Sequence, residues 1–226
     1  MKKLISLTIA LILCLTLFCN CGLIEQLKYR AEFGEMDDFF EDVGLTDRLT
    51  RVKFFELASN YSIDGVNINC EDISISNARD AVIYSVSGDN YAVTVENYEY
   101  SEYDSNFYIL YFEKMPDGLE LPYGIEFGDD MDSVLAAFDL PPLEQYYFES
   151  TADTIIVDKS REWGITYQNC RNEEGEITTE CMISVGRSII NDDDVWEGKN
   201  LRFHFDKREL KLMAVSIETH DRYDTE

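Results

Sequence analysis

The side chains that could do chemistry here are two histidines, six cysteines and 45 acids. General acid–base or nucleophilic catalysis needs a base or nucleophile in a tuned setting. His204 lies between Phe203 and Phe205, so a strand that turns both rings inward turns His204 to solvent. His220 lies near a polar C-terminus and is expected at the surface. No G-x-S-x-G elbow, H-E-x-x-H helix or phosphate-binding glycine loop occurs, nor any C-x-x-C pair beyond the first 22 residues. Paired carboxylates serve glycosidases, but 45 acids supply every spacing and single out no pair. The chain is therefore not expected to be an enzyme, and a carboxylate-dependent envelope hydrolase is kept as an alternative.

Two other groups could bind rather than react. Asn191-Asp192-Asp193-Asp194 with Glu197 is a dense run of oxygen ligands. Calcium takes six to eight such oxygens, which makes Asp192, Asp194 and Glu197 candidate ligands and a Ca-dependent adhesive module a further alternative. The run lacks the alternation of an EF-hand, so a solvated acidic loop is the simpler reading; no other cofactor is implied. Tyrosines cluster at 84, 91, 98, 100, 103, 108 and 111. On a strand, Tyr98 and Tyr100 share a face with Ala92, Thr94 and Glu96, a candidate surface for a protein or peptide.

The elements that position these residues begin with an export signal. Lys2 and Lys3 precede Leu4 to Phe18, 15 residues without charge. That run is short for a membrane span, which needs about 20 apolar residues, and suits a signal peptide. Its end, Cys19-Asn20-Cys21-Gly22, resembles the close of a bacterial lipoprotein signal. The resemblance implies a diacylglycerol thioether on Cys21 and cleavage before it, hence a lipid anchor (palmitate among the acyl chains) on the extracytoplasmic face of the cell membrane. Phe18, Cys19 and Asn20 depart from the small residues usual before that cysteine. Release after cleavage, and an uncleaved span over Leu4 to Ile24, stay open.

Composition limits the partners. A formal charge of −26 becomes −28 when cleavage removes Lys2 and Lys3 and no acid. Such a chain repels nucleic-acid phosphates and anionic headgroups, so no nucleic acid is expected and the membrane contact falls to the lipid. Hydrophobic content of 45%, with 13 Phe and 14 Tyr, is enough for a packed core. Beyond Cys21 only Cys70, Cys170 and Cys181 remain, which allows at most one intrachain disulfide.

The pattern predicts helices over 36–43, stopped by Gly44, and from an Asp47 cap to about Tyr61 with Val52, Phe55, Leu57 and Ala58 as its stripe. Strands follow at 66–70, 81–86, 91–100 and 106–114; Phe107 to Phe112 is apolar throughout and reads as a strand covered on both faces. Asp129 or Asp130 caps a third helix whose buried stripe is Met131, Val134, Leu135 and Phe138, stopped by Pro141-Pro142. Strands at 145–150, 153–158, 163–170, 180–187, 200–206 and 211–219 complete a meander. A four-residue turn at 174–177 sets Cys170 opposite Cys181, the candidate disulfide, and a one-residue change of register removes it.

The run Gly124-Ile125-Glu126-Phe127-Gly128-Asp129 with Val134-Leu135, and the closing LRFHFDKRELKLMAVSIE, resemble small envelope lipoproteins. Related folds are beta-lactamase-inhibitor-like domains and outer-membrane assembly lipoproteins of the SmpA/OmlA type. About 14 residues match in detail, and Asp139-Leu140-Pro141 stands where that pattern often has Gly. The resemblance covers the C-terminal half and implies binding or scaffolding.

The expected fold is α+β: short helices packed on one face of one or more antiparallel sheets, with the two halves as candidate related subdomains. The expected organisation is signal peptide 1–20, anchor and tether 21–35, a helix-plus-strand region 36–118 and a helix-plus-antiparallel-sheet region 119–226. The expected function is a membrane-anchored binding or scaffold module for an unknown protein or peptide.

Overall fold

A computed structural model describes residues 34–45, 49–78, 81–99, 103–140, 142, 152–158, 163–170, 181–190, 196–206 and 208–224. At 99, 103–104, 152–158, 163–170, 181, 187–190, 196–197 and 221–224 it describes backbone only.

Three short helices are set by their apolar spacing. In α1 (34–42) the spacing of Met36, Phe39, Phe40 and Val43 makes one buried stripe. Gly44, at φ +72°, ends it. The Gly44 N–H donates to Glu41 O at 2.8 Å and the Leu45 N–H to Phe40 O at 3.0 Å, the bond pair of a Schellman stop. In α2 (Arg51–Ser59) the cap is Thr50, whose hydroxyl accepts from Lys53 N–H at 3.3 Å, not Asp47, which lies outside the described residues. Its buried residues are Phe54, Phe55 and Ala58. Val52, expected in the stripe, is 60% exposed because Phe54 and Tyr108 fix the helix's rotation, their rings 5.2 Å apart.

The third helix, α3 (Met131–Ala137), is capped by Asp130, which accepts from Ser133 N–H at 2.8 Å. Met131, Val134, Leu135 and Phe138 are buried as the spacing predicts. The helix ends before Pro141. Asp139 takes φ +54°, its N–H donates to Ala136 O at 2.9 Å, and Leu140 N–H donates to Leu135 O at 3.0 Å.

The strands are β1 (Ser62–Ile63), β2 (Val66–Asn67), β3 (Ser74–Ala78), β4 (Ala81–Gly88), β5 (Tyr91–Glu99), β6 (Tyr103–Phe112), β7 (Ala152–Asp158), β8 (Trp163–Cys170), β9 (Cys181–Ile190), β10 (Trp196–Phe205) and β11 (Leu212–Asp224). β1 and β2 form a separate hairpin through Asp64-Gly65. The other nine make one antiparallel sheet in the order β3-β4-β5-β6-β11-β10-β9-β8-β7. Two meanders, each preceded by helices, run inward and join at their last strands, β6 against β11. The predicted strand at 145–150 lies outside the described residues. The strand at 66–70 shrinks to β2, and β3 forms in the stretch between the strands predicted at 66–70 and 81–86, where none was predicted.

Among the described residues, the ring contacts made to the sheet from α2, from Tyr61 just beyond it and from the end of α3 fall on one face. Phe54 meets Tyr108, Tyr61 meets Phe112 at 6.3 Å, and Phe138 meets Phe203 at 5.9 Å. That face carries Val93, Val95, Tyr108, Leu110, Phe112, Ile183, Val185, Leu201, Phe203, Phe205, Val215 and Ile217, all buried. Each such side chain withdrawn from water contributes about 1.5–3 kcal/mol. Burial among these groups pushes the Tyr61 phenol up to about 12. The Gly128-Asp129 turn is stitched to the closing hairpin: Gly128 N–H donates to Leu212 O at 2.9 Å and Leu212 N–H to Asp129 O at 2.8 Å.

Candidate functional site

Alternation along the strands gives the sheet a second face, away from the helices. Its composition follows from register. Ala92, Thr94, Glu96 and Tyr98 of β5 stand opposite Tyr111, Ile109, Phe107 and Ser105 of β6. Tyr111, Ile109 and Phe107 stand opposite Ser216, Glu218 and His220 of β11, and these opposite Arg202, Asn200 and Gly198 of β10. Four strands thus present rows of side chains at the centre of the molecule. Phe107, Ile109 and Tyr111 are half-buried on this face. Among the described residues, helices meet β6 on the other face alone, and this face of the strand, read from its apolar run as covered, is half-buried.

The rows are ordered by mutual contacts. Tyr98 donates its hydroxyl to Glu96 at 2.9 Å. Phe107 packs edge-on to Tyr98 at 5.5 Å and flat against His220 at 5.3 Å with 19° between planes. Tyr111 meets the His204 ring edge-on at 5.7 Å. His204 Nε2 lies 2.6 Å from Ser216 Oγ. Arg202 pairs with Glu218 at 2.9 Å. Phe203 and Phe205 do point into the core, so His204 points the other way as the sequence implied. It is nevertheless 8% exposed, because Tyr111 and Ser216 close around it.

Electrostatics centres on Glu218, 7% exposed. Burial pushes its carboxyl above the usual range; Arg202 opposes the shift and the Glu96 carboxylate adds to it. These two acids are the ones this face brings within reach of each other, and both are engaged, Glu96 by Tyr98 and Glu218 by Arg202.

Two glycines make the face possible. A Cβ at Gly198 would lie 1.8 Å from His220 Cε1, and one at Gly186 1.6 Å from Asn200 Oδ1. The absent side chains let His220 and Asn200 lie over the neighbouring strand. No sequence motif flagged either glycine; an isolated Gly inside a strand pattern is the available signal.

The Ser216–His204 pair could resemble a nucleophile with its base, but acyl transfer also needs donors aimed at an oxyanion. β10 and β11 lie inside the sheet, paired on both sides, so their backbone N–H groups are held in ladders. What the face offers outward is the half-buried rings of Phe107, Tyr111 and His220 and the half-buried Arg202, while His204 and Glu218 lie beneath them.

Of the residues the sequence singled out, Tyr98 lies on this face, half-buried, beside Glu96 as expected. Tyr100, Cys21, Asp192 and Asp194 lie outside the described residues, and of Glu197 only the backbone is described. The β8–β9 ladder ends at Gln168↔Met182, a register that sets Cys181 opposite Asn169 rather than Cys170. Both cysteine side chains lie outside the described ones. Among the described residues no helix is long and apolar enough to cross a membrane, and no group of three or more His, Cys, Asp or Glu is placed to hold a metal.

The chain was compared with protein-family models, curated proteins and solved structures, and nothing matches.

Proposed function

We propose that this chain is an extracytoplasmic binding or scaffold module, tethered to the cell membrane by a lipid on Cys21, that engages a protein or peptide through the uncovered face of its sheet. One observation carries the reading. The helix-free face is not a plain solvated surface but a fixed array: Tyr98, Phe107 and His220 in ring contact, Tyr111 on His204, and the Arg202–Glu218 pair. Aromatic groups and arginine held in place on a broad surface are what protein interfaces use as anchors. The anchor rests on Lys2-Lys3, the apolar run and Cys21-Gly22, and the acidity fits a cationic partner.

The test has two arms on the full chain. Growth with a fatty-acid analogue should label the parent and not Cys21→Ala; label in both, or in neither, refutes the anchor. Capture from detergent-solubilised envelope should recover a partner with the parent and with Ser133→Lys on α3, but not with Tyr111→Lys. Equal recovery by all three removes the open face from binding.

A further inference from the structure

A second surface lies at the sheet's edge. β3 is a terminal strand, and all five of its residues are exposed. Its sequence, Ser-Ile-Ser-Asn-Ala, contains no charge and no proline, the devices that usually protect an edge. Alternate residues of such a strand direct N–H and C=O away from their one neighbour, here β4.

Beside this edge runs an open groove of about 620 Å³, with Val52, Phe55, Ile68 and Ile73 among its lining and Glu56 and Glu71 at its margin. Among the described residues five large hydrophobics are exposed. Four of them, Val52, Val66, Ile73 and Ile75, belong to the stretch from α2 to β3. Ile75 is paired with Tyr84, whose ring lies 4.0 Å under the Arg51 guanidinium. Arg51 also lines the groove, so Ile75 sits on the groove's side of the sheet. An uncharged edge and an apolar trough therefore adjoin on the helix side, opposite the face assigned above to binding.

We propose that β3 accepts an extended partner segment as a tenth strand, with aliphatic side chains at alternate positions entering the groove and Lys or Arg beside them. The backbone edge selects an extended chain, since it offers a ladder and nothing a helix could pair with. Charge selects the basic flank. Glu56 and Glu71 line the trough, the exposed Asp72 follows Glu71 in the chain, Arg51 is held over Tyr84, and the whole chain carries −26. A second copy would bring the same acids against these. The half-buried Cys70 thiol in the groove wall has its pKa raised by burial, so it acts as lining rather than as a nucleophile.

The probe is a displayed library of random short peptides, selected on the immobilised protein. Peptides with alternating aliphatic residues and Lys or Arg should enrich. Their affinity should fall at least about tenfold on Ile75→Lys and on Val52→Lys, exposed positions whose change leaves the core intact, and should weaken with salt. N-methylation of alternate peptide nitrogens should abolish binding in one register and be tolerated in the other. Each remaining result overturns the proposal: no enrichment, acidic consensus, equal binding to both variants, or tolerance of methylation in both registers. So does self-association that Ile75→Lys disperses, which would make a second copy the occupant. Neither variant touches the open face, so failure here leaves that reading intact.

Discussion

His220 holds its place because position 198 has no side chain. With a Cβ 1.8 Å from the ring, Gly198→Ala must push His220 off Phe107. The expected cost is about 1–3 kcal/mol in urea unfolding, and most of it should vanish when His220→Ala is added, since the clash is then gone. Additive costs would mean that the glycine matters for the backbone instead. Titration separates other residues by sign. The folded pKa of Glu218 is raised, chiefly by burial, so its contribution is most favourable below the unfolded value of about 4.3 and is lost as pH rises through the folded one. Asp130 and Asp206 are lowered chiefly by hydrogen bonds, from Ser133 and from the Glu209 and Lys211 N–H groups. Their stabilisation is present above about pH 4 and is lost as pH falls through the depressed values. Unfolding of Glu218→Gln against pH should therefore lack the first component and keep the second; an unchanged profile refutes the assignment. At this scale the alternation Phe203-His204-Phe205 was legible. The burial of His204 was not, since it depends on Ser216 and Tyr111, far away in sequence and adjacent only once β6, β11 and β10 pair.

Elements follow local rules where the local signal is strong. The helix at α1, the stripe of α3, a cap at Asp129 or Asp130 and the Gly44 stop can all be read from spacing and residue type. α3 ends at Ala137, ahead of its prolines, because Asp139 itself enters the left-handed region at φ +54°. Asp tolerates that region less well than glycine, so Asp139→Gly should raise stability by up to about 1 kcal/mol, read as a higher urea midpoint with an unchanged slope. A lower midpoint would show that the aspartate side chain holds the stop. The register of α2 was missed because Val52 and Phe54 both fit a helical stripe, and only Tyr108 decides between them. β3 was not predicted because Ser-Ile-Ser-Asn-Ala has a single β-branched residue and no aromatic; it is a strand because β4 is there to pair with it.

At the scale of the molecule, the sequence anticipated helices on one face of antiparallel sheet. It could not say that both halves share a sheet, since the joining pair, β6 with β11, links residues more than 100 apart in sequence, such as Phe112 and Val215. That junction gives the open face its centre: Phe107 and Tyr111 come from one half, and His204, Ser216, Glu218 and His220 from the other. Binding should therefore depend on both halves together. Site-specific photo-crosslinking in intact cells tests this most directly, with a photoreactive phenylalanine analogue placed at Tyr111 on the open face or at Ser133 on α3. We predict a discrete adduct of defined mass from position 111 and none from 133. Adducts from 133 alone, the same adducts from both positions, or none from either would contradict the claim that the uncovered sheet face is the binding surface.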